Sequence, residues 1–294
     1  MVFLLTVGAG VVVGGVVALL ASRWPATQSP HVSSGTIATE VVQHPGLAGH
    51  LRRHFDPKTE TGVALIIATA LVAVAAAGIG ILLALVRTEF GVDSLDVRLA
   101  RFGFQNATEW TTEALRHISE LGGTRGVIAM AVVAGIIGCR LGQRRAVIAF
   151  LVLVVGGQFA LSNGIKYLVE RARPEIGQLT GHAGSSFPSG HSTAAAATLA
   201  AIALVVTRRQ SPRVKAAAAG LAAGGAAMVA ATRVFLGVHW FSDVVAGLLL
   251  GWAWFAMCSI AFGGRLLVFG QPVEVAETVA ENVPVDDVPV TGTR

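Results

Sequence analysis

Apolar residues dominate seven stretches of this chain, near 2–22, 62–86, 125–139, 146–165, 190–207, 214–232 and 240–262. A bilayer-spanning helix needs about 20 mainly apolar residues, so each stretch predicts a membrane span, the short third one borrowing from its flanks. Residues 23–61 interrupt the pattern with a polar connection rich in Pro, Ser, Thr and His, which reads as a loop of little structure. Residues 92–121 follow another rhythm. Val92, Leu95, Leu99 and Phe102, then Trp110, Ala114, Ile118 and Leu121, recur at steps of three or four, while Asp93, Asp96, Arg98, Arg101, Glu113, Arg116 and Glu120 fill the other face. This predicts an amphipathic helix lying in the membrane interface, broken near Gly103. The tail from Gln271 is acidic and aperiodic and reads as disordered.

Composition agrees with the spans. Of 294 residues, 53% are hydrophobic and 13% charged, against about 25% charged in a soluble domain. The expected fold is therefore an all-α polytopic membrane helix bundle, in which abundant Gly and Ala let helices approach closely. The net charge of +5 is spread over loops, with no basic block or nucleic-acid motif, so it carries topology rather than a nucleic-acid partner. Cys139 and Cys258 fall in apolar spans as small hydrophobes, without a disulfide framework. Met1 to Ala21 lacks the basic start of a secretory signal and reads as a retained span. Arg140, Arg144 and Arg145 join the third and fourth spans, and Arg208, Arg209, Arg213 and Lys215 join the fifth and sixth. Short basic loops stay cytoplasmic. Segments 166–190 and 233–239 then share the opposite, extracytoplasmic face.

Those segments hold the chemistry. Lys166 and Arg173 are seven residues apart, two helical turns, and share a face if the helix continues to Pro174, which ends it. Point charge and guanidinium fork are complementary ways to hold phosphoryl oxygens. Glu170 and Arg171 between them read as interfacial charge. Pro188-Ser189-Gly190-His191 opens an Ala-rich span, and the free N–H groups of such a helix start cradle phosphate. His239 and Asp243 are four apart, so the carboxylate can orient the imidazole for attack on phosphorus. Arg233 adds a third cation for the equatorial oxygens of a phosphoryl transition state.

In isolation each feature has a plainer reading: snorkelling anchors, an ordinary cap, a structural hydrogen bond. Their joint occurrence, in order and at span boundaries on one face, favours a phosphate site. His31, His44, His50 and His54 lie in one loop without metal-ligand spacing. His117 sits on the polar side of the amphipathic helix, His182 in a solvent loop. Trp24, Trp110, Trp240, Trp252 and Trp254 read as interface or packing aromatics.

Three signatures, Lys166-Tyr-Leu-Val-Glu-Arg-Ala-Arg173-Pro174, Pro188-Ser189-Gly190-His191 and Thr232-Arg233-Val-Phe-Leu-Gly-Val-His239-Trp-Phe-Ser-Asp243, resemble those of the type-2 phosphatidic acid phosphatase family, related to vanadium haloperoxidases. The family usually has Ser at Thr232, so a hydroxyl is retained. The resemblance implies a six-helix phosphatase core over 62–262, with residues 1–61 (an extra span and polar loop) and the tail 263–294 outside it. It implies His239 as nucleophile forming a phosphohistidine, Asp243 as its orienter and His191 as general acid. Lys166, Arg173, Ser189, Gly190 and Arg233 would bind phosphate, and no metal or other cofactor is required. The expected substrate is a membrane lipid phosphate or diphosphate: a polyprenyl diphosphate, phosphatidic acid or phosphatidylglycerol phosphate. Family analogy puts undecaprenyl diphosphate, in a bacterial plasma membrane, first. Transfer of the phosphoryl group to another acceptor would use the same residues. A lipid transporter would instead place its charges near mid-span in two related halves, whereas here they collect at one edge.

Overall fold

The computed structural model describes residues 1–23, 60–87, 92–141, 144–181 and 184–266. Among the described residues the regular structure is helical: α1 (Val2–Arg23), α2 (Glu60–Arg87), α3 (Val92–Gln105), α4 (Glu109–Glu120), α5 (Thr124–Arg140), α6 (Arg144–Val169), α7 (Gly190–Thr207), α8 (Pro212–Phe235) and α9 (Phe241–Leu266). Five of them, α1 and α6 to α9, are long and apolar enough to cross a membrane; α4 and α5, bent by 47°, pass the same test as a pair. The 28-residue α2 supplies a further apolar helix. The expected polytopic bundle is thus present. Most of the polar loop and acidic tail expected at 23–61 and 263–294 lies outside the described residues; of the loop, residue 23 ends α1 and residues 60–61 open α2, and of the tail, residues 263–266 continue α9.

α7 is the axis of the bundle and packs against α5, α6, α8 and α9. Its run from Ser192 to Thr198 is buried without interruption, because alanine side chains let neighbours close in from every side. Bulk comes from the surrounding helices: Val147, Phe150 and Val154 of α6 and Cys258 of α9 pack against Ala197, Ala201 and Val205 of α7. Phe150 meets Phe255 and Phe262 of α9 edge-on. Val11, Val74, Val133, Val152 and Leu221 point outward and exposed, which is favourable against lipid. Association between such helices depends on close packing rather than on expelling water.

α1 runs antiparallel along α8. A Cβ on Gly14 would lie 2.8 Å from the Gly220 carbonyl oxygen, and one on Gly224 2.5 Å from that of Gly10. At the start of α1, Val2 is buried with Leu115, Leu236 and Val238. α1 therefore buttresses the loop after α8.

The amphipathic region differs from expectation in two ways. Gly103 stays inside α3, where a Cβ would lie 2.7 Å from Phe235 Cα, and the break comes at 106–108. There Thr108 caps α4 in a reciprocal box with Thr111. The second is on the polar face, where Asp96 is 1% exposed, as α3 and α4 pack on the C-terminal half of α8.

Candidate active site

Four helix ends meet at one end of the bundle. The N-termini of α7 and α9 bring their positive dipole ends, and the C-termini of α6 and α8 bring basic residues. The Ser189 N–H donates to the Asp243 carbonyl at 3.0 Å, tying the two N-termini together. Gly247, one turn beyond Asp243 in α9, allows this closeness, since a Cβ there would lie 2.6 Å from the Ser189 carbonyl oxygen.

α6 ends at Val169, earlier than the spacing of Lys166 and Arg173 suggests. Glu170 adopts the left-handed conformation (φ 49°) and its N–H closes the last turn on the Lys166 carbonyl. Lys166 thus points from a helix and Arg173 from an extended segment. Among the described residues Arg173 donates from Nε to the Gly184 carbonyl (2.9 Å), from Nη2 to that of Ser185 (3.1 Å), and from Nη1 to that of Val238 (2.6 Å) and to His239 Nε2 (3.2 Å). One guanidinium therefore ties the first motif to the third and to the loop that leads into the second.

The contact to His239 also fixes chemistry. A guanidinium only donates, so Nε2 carries the lone pair and the ring proton is assigned to Nδ1. Nδ1 faces Asp243 Oδ2 at 3.6 Å, beyond hydrogen-bond length, and has no hydrogen-bond partner among the described residues. Burial pushes the His239 pKa down to about 4, against the opposing pull of Asp243. At neutral pH the ring is a neutral base with its nucleophilic nitrogen defined. Burial also lowers Arg173, with Asp243 again opposing.

Asp243 is fully buried. Oδ1 accepts from Arg171 (2.6 Å); Oδ2 accepts from the Trp240 N–H (2.9 Å) and the Ser186 hydroxyl. Arg233 is 5% exposed and donates from Nη1 to Ser119 Oγ at 2.8 Å, while its Nε lacks a partner among the described residues. Neither Arg233 nor Lys166 pairs with a carboxylate among the described residues. Buried cations are paired or bind a ligand, so buried Arg233, with half-buried Lys166 as the second cation, points to an anion. Lys166 Nζ lies beside the start of α7, 3.6 Å from where a Gly190 Cβ would stand. His191, half-buried, is within electrostatic range of Lys166, Arg173, Arg233 and His239. An open cleft of about 760 Å³ leads outward from Lys166 and Arg173 past Asn163, Tyr167, Glu170 and Arg171. Among the described residues no three His, Cys, Asp or Glu side chains gather as metal ligands.

The predicted residues thus converge, with adjustments. Ser189 Oγ is fully buried and caps α7, accepting from Ser192 N (3.4 Å) and Oγ (3.0 Å), so only its own proton remains to offer. Thr232 turns its hydroxyl onto the Val229 carbonyl of its own helix at 2.6 Å. His117 is exposed beside Glu113; His31, His44, His50, His54 and His182 lie outside the described residues. Contributors that escaped sequence reading include Asp96, Ser119, Arg171, Ser186, Trp240 and Ser242. Trp240, expected as a packing aromatic, donates from Nε1 to the Ala172 carbonyl (2.9 Å) and lies under Arg171, 5.6 Å from its guanidinium carbon. A charged residue inside a phosphate motif was the one available signal, for Arg171.

The PAP2 superfamily model matches residues 146–266, which span Lys166 to Asp243. A curated relative, phosphatidylglycerophosphatase B of Bacillus subtilis, is 29% identical over 162 residues, 54% of this chain and 79% of that protein. Lipid A 1-phosphatase of Rhizobium johnstonii is 37% identical over 132 residues, 41% of this chain and half of that protein. Among solved structures, a transmembrane PAP2-type phosphatidylglycerolphosphate phosphatase from Bacillus subtilis matches with TM-score 0.60 and 26% identity, over 67% of this chain and 98% of that one. Outside the PAP2 match, α3 and α4 supply Asp96 and Ser119.

Proposed function

We propose that this integral membrane protein is a lipid phosphatase, hydrolysing a lipid phosphate or diphosphate through a phosphohistidine. The observation that carries the reading is a buried His239, facing Asp243 and bonded to Arg173, beside two cations without carboxylate partners among the described residues. Lys166, Arg173, Arg233 and the α7 N-terminus hold the phosphoryl oxygens, with Ser189 and Gly190 shaping that terminus. As a phosphate draws Arg173 onto its oxygens, Nε2 is released to attack. The N–P bond forms as the bond to the leaving oxygen breaks, and His191 protonates that oxygen. His191 then takes a proton from water, which attacks phosphorus, and inorganic phosphate leaves with rupture of the N–P bond.

A cleft at a membrane edge suits a headgroup whose tails stay in lipid. The relatives named for phosphatidylglycerophosphate and lipid A support a phosphate on a lipid anchor, and they add lipid A to the candidates. Phosphate release from phosphatidylglycerol phosphate, phosphatidic acid, undecaprenyl diphosphate and lipid A, in detergent and in EDTA, tests the reading. We expect release by the wild type, at a rate EDTA leaves unchanged, and none by His239→Ala. Equal rates from the two proteins refute the nucleophile, collapse in EDTA refutes the metal-free scheme, and product analysis with an added lipid acceptor separates hydrolysis from transfer.

A further inference from the structure

We infer that Asp96 and Arg171 form a second tier of ions behind Asp243 that holds its carboxylate in register with His239; both are positioning residues, and the inference rests on the phosphohistidine reading. The two oxygens of Asp243 have separate duties. Oδ2 faces His239, and Oδ1 is given to Arg171 Nη1 at 2.6 Å. The second prong of the same guanidinium, Nη2, donates to Asp96 Oδ2 at 3.0 Å. Asp96 is fixed in turn from α9, accepting the Ser242 N–H on Oδ1 (2.9 Å) and the Ser242 hydroxyl on Oδ2 (2.6 Å). Arg171 Nη1 also reaches Ser242 Oγ at 2.7 Å. Asp96 and Asp243 are almost wholly buried, so this carboxylate–guanidinium–carboxylate chain has little competition from water.

Arg171 also lines the cleft that leads to Lys166 and Arg173. A flexible guanidinium beside a phosphate site would turn to the phosphate unless held elsewhere. Asp96 holds it. Arg171 thereby stays with Asp243 during turnover, and the imidazole keeps its orientation. A loss of alignment of this kind changes the rate of the chemical step more than the affinity for phosphate, because Lys166, Arg173 and Arg233 are untouched.

The test uses purified full-length protein in detergent and phosphatidylglycerol phosphate, phosphatidic acid and undecaprenyl diphosphate as substrates. Kinetic constants are normalised to the fraction of sites titrated by vanadate. Asp96→Asn and Arg171→Gln should each lower kcat about 10- to 100-fold with KM within about threefold of wild type. Arg171→Lys should recover part of the loss, and the double variant should be no worse than the poorer single one. The sign of a pH effect separates positioning from a general loss of structure. His239 faces Asp243, Arg173, Arg233 and His191. Arg171→Gln leaves Asp243 with its full charge against the imidazole, so the acid limb of kcat/KM should move to higher pH. Asp96→Asn, which leaves Arg171 to Asp243 alone, should not move it upward. If either ion variant fails to fold, Ser242→Ala, which removes only the shared hydroxyl, should still lower kcat severalfold. Wild-type kcat in the folded variants, a loss confined to KM, or a fall in melting temperature alone overturns the inference while the phosphatase reading stands. A wild type that releases no phosphate from any of the three lipids overturns both.

Discussion

His239 shows how one side chain's surroundings set both its reactivity and a cost. Burial keeps the imidazole neutral with a pKa of about 4, against 6.5 for the free side chain. At pH 7 the ring is neutral whether the chain is folded or not. Below 6.5 the unfolded chain takes up a proton that the folded protein refuses, so stability falls with pH until about 4 and no further. The gap corresponds to about 3 kcal/mol at most. Melting in detergent at pH 7 and pH 4.5 should therefore show a larger loss for wild type than for His239→Gln; equal losses would mean the ring is not held neutral. Asp243 gives a second prediction. Its carboxylate accepts from Arg171, Trp240 and Ser186, and an amide in its place turns a donor toward those donors. Asp243→Asn should lower phosphate release by about 10²- to 10⁴-fold, as for the orienting aspartate of a hydrolase triad. At this scale the sequence was legible where chemistry is local: His239 and Asp243 are one helical turn apart. Arg171 and Asp96 were not, because their partners stand 72 and 146 residues away, and no periodicity reports such pairings.

Among the helices, apolar length alone located α1, α2 and α5 to α9, because lipid demands that length whatever the packing. What length does not report is how a helix ends or which way a polar face turns. The turn at Glu170 takes Arg173 off the axis of α6, and α3 points Asp96 inward since Ser242 and Arg171 offer donors there. The pairing of α1 with α8 is written in small residues but becomes readable only once the partner helix is known. Gly14 faces the Gly220 backbone, whereas a Cβ on Gly15 meets nothing within 4 Å. Gly14→Leu should therefore force α1 off α8 at a cost of about 1–3 kcal/mol, and Gly15→Leu should leave the melting temperature unchanged. Activity should fall with Gly14→Leu as well, since α1 supports Leu236 and Val238 beside His239. Equal melting temperatures for the two leucine variants would mean that α1 does not pack in this register.

At the scale of the whole molecule, charge and geometry make a joint claim about sidedness. The three motifs lie at one end of the bundle, together with the start of α1, whose Val2 touches Leu236 and Val238. α1 then carries Arg23 to the far end, where the loop bearing Arg208, Arg209, Arg213 and Lys215 joins α7 to α8, and Arg140 and Arg145 flank the joint between α5 and α6. Basic residues in short loops and at span ends resist translocation. These basic residues favour the cytoplasm for the far end, which predicts that the phosphate site faces outward. Glu175 and Gln210 are exposed at opposite ends, which makes the claim measurable in intact cells. With Cys139 and Cys258 changed to alanine, a Glu175→Cys protein should react with a membrane-impermeant maleimide without permeabilisation, and a Gln210→Cys protein only after it. The reverse pattern would place His239 and its substrate in the cytoplasmic leaflet, where the same chemistry would act on a lipid phosphate at its site of synthesis rather than after its export.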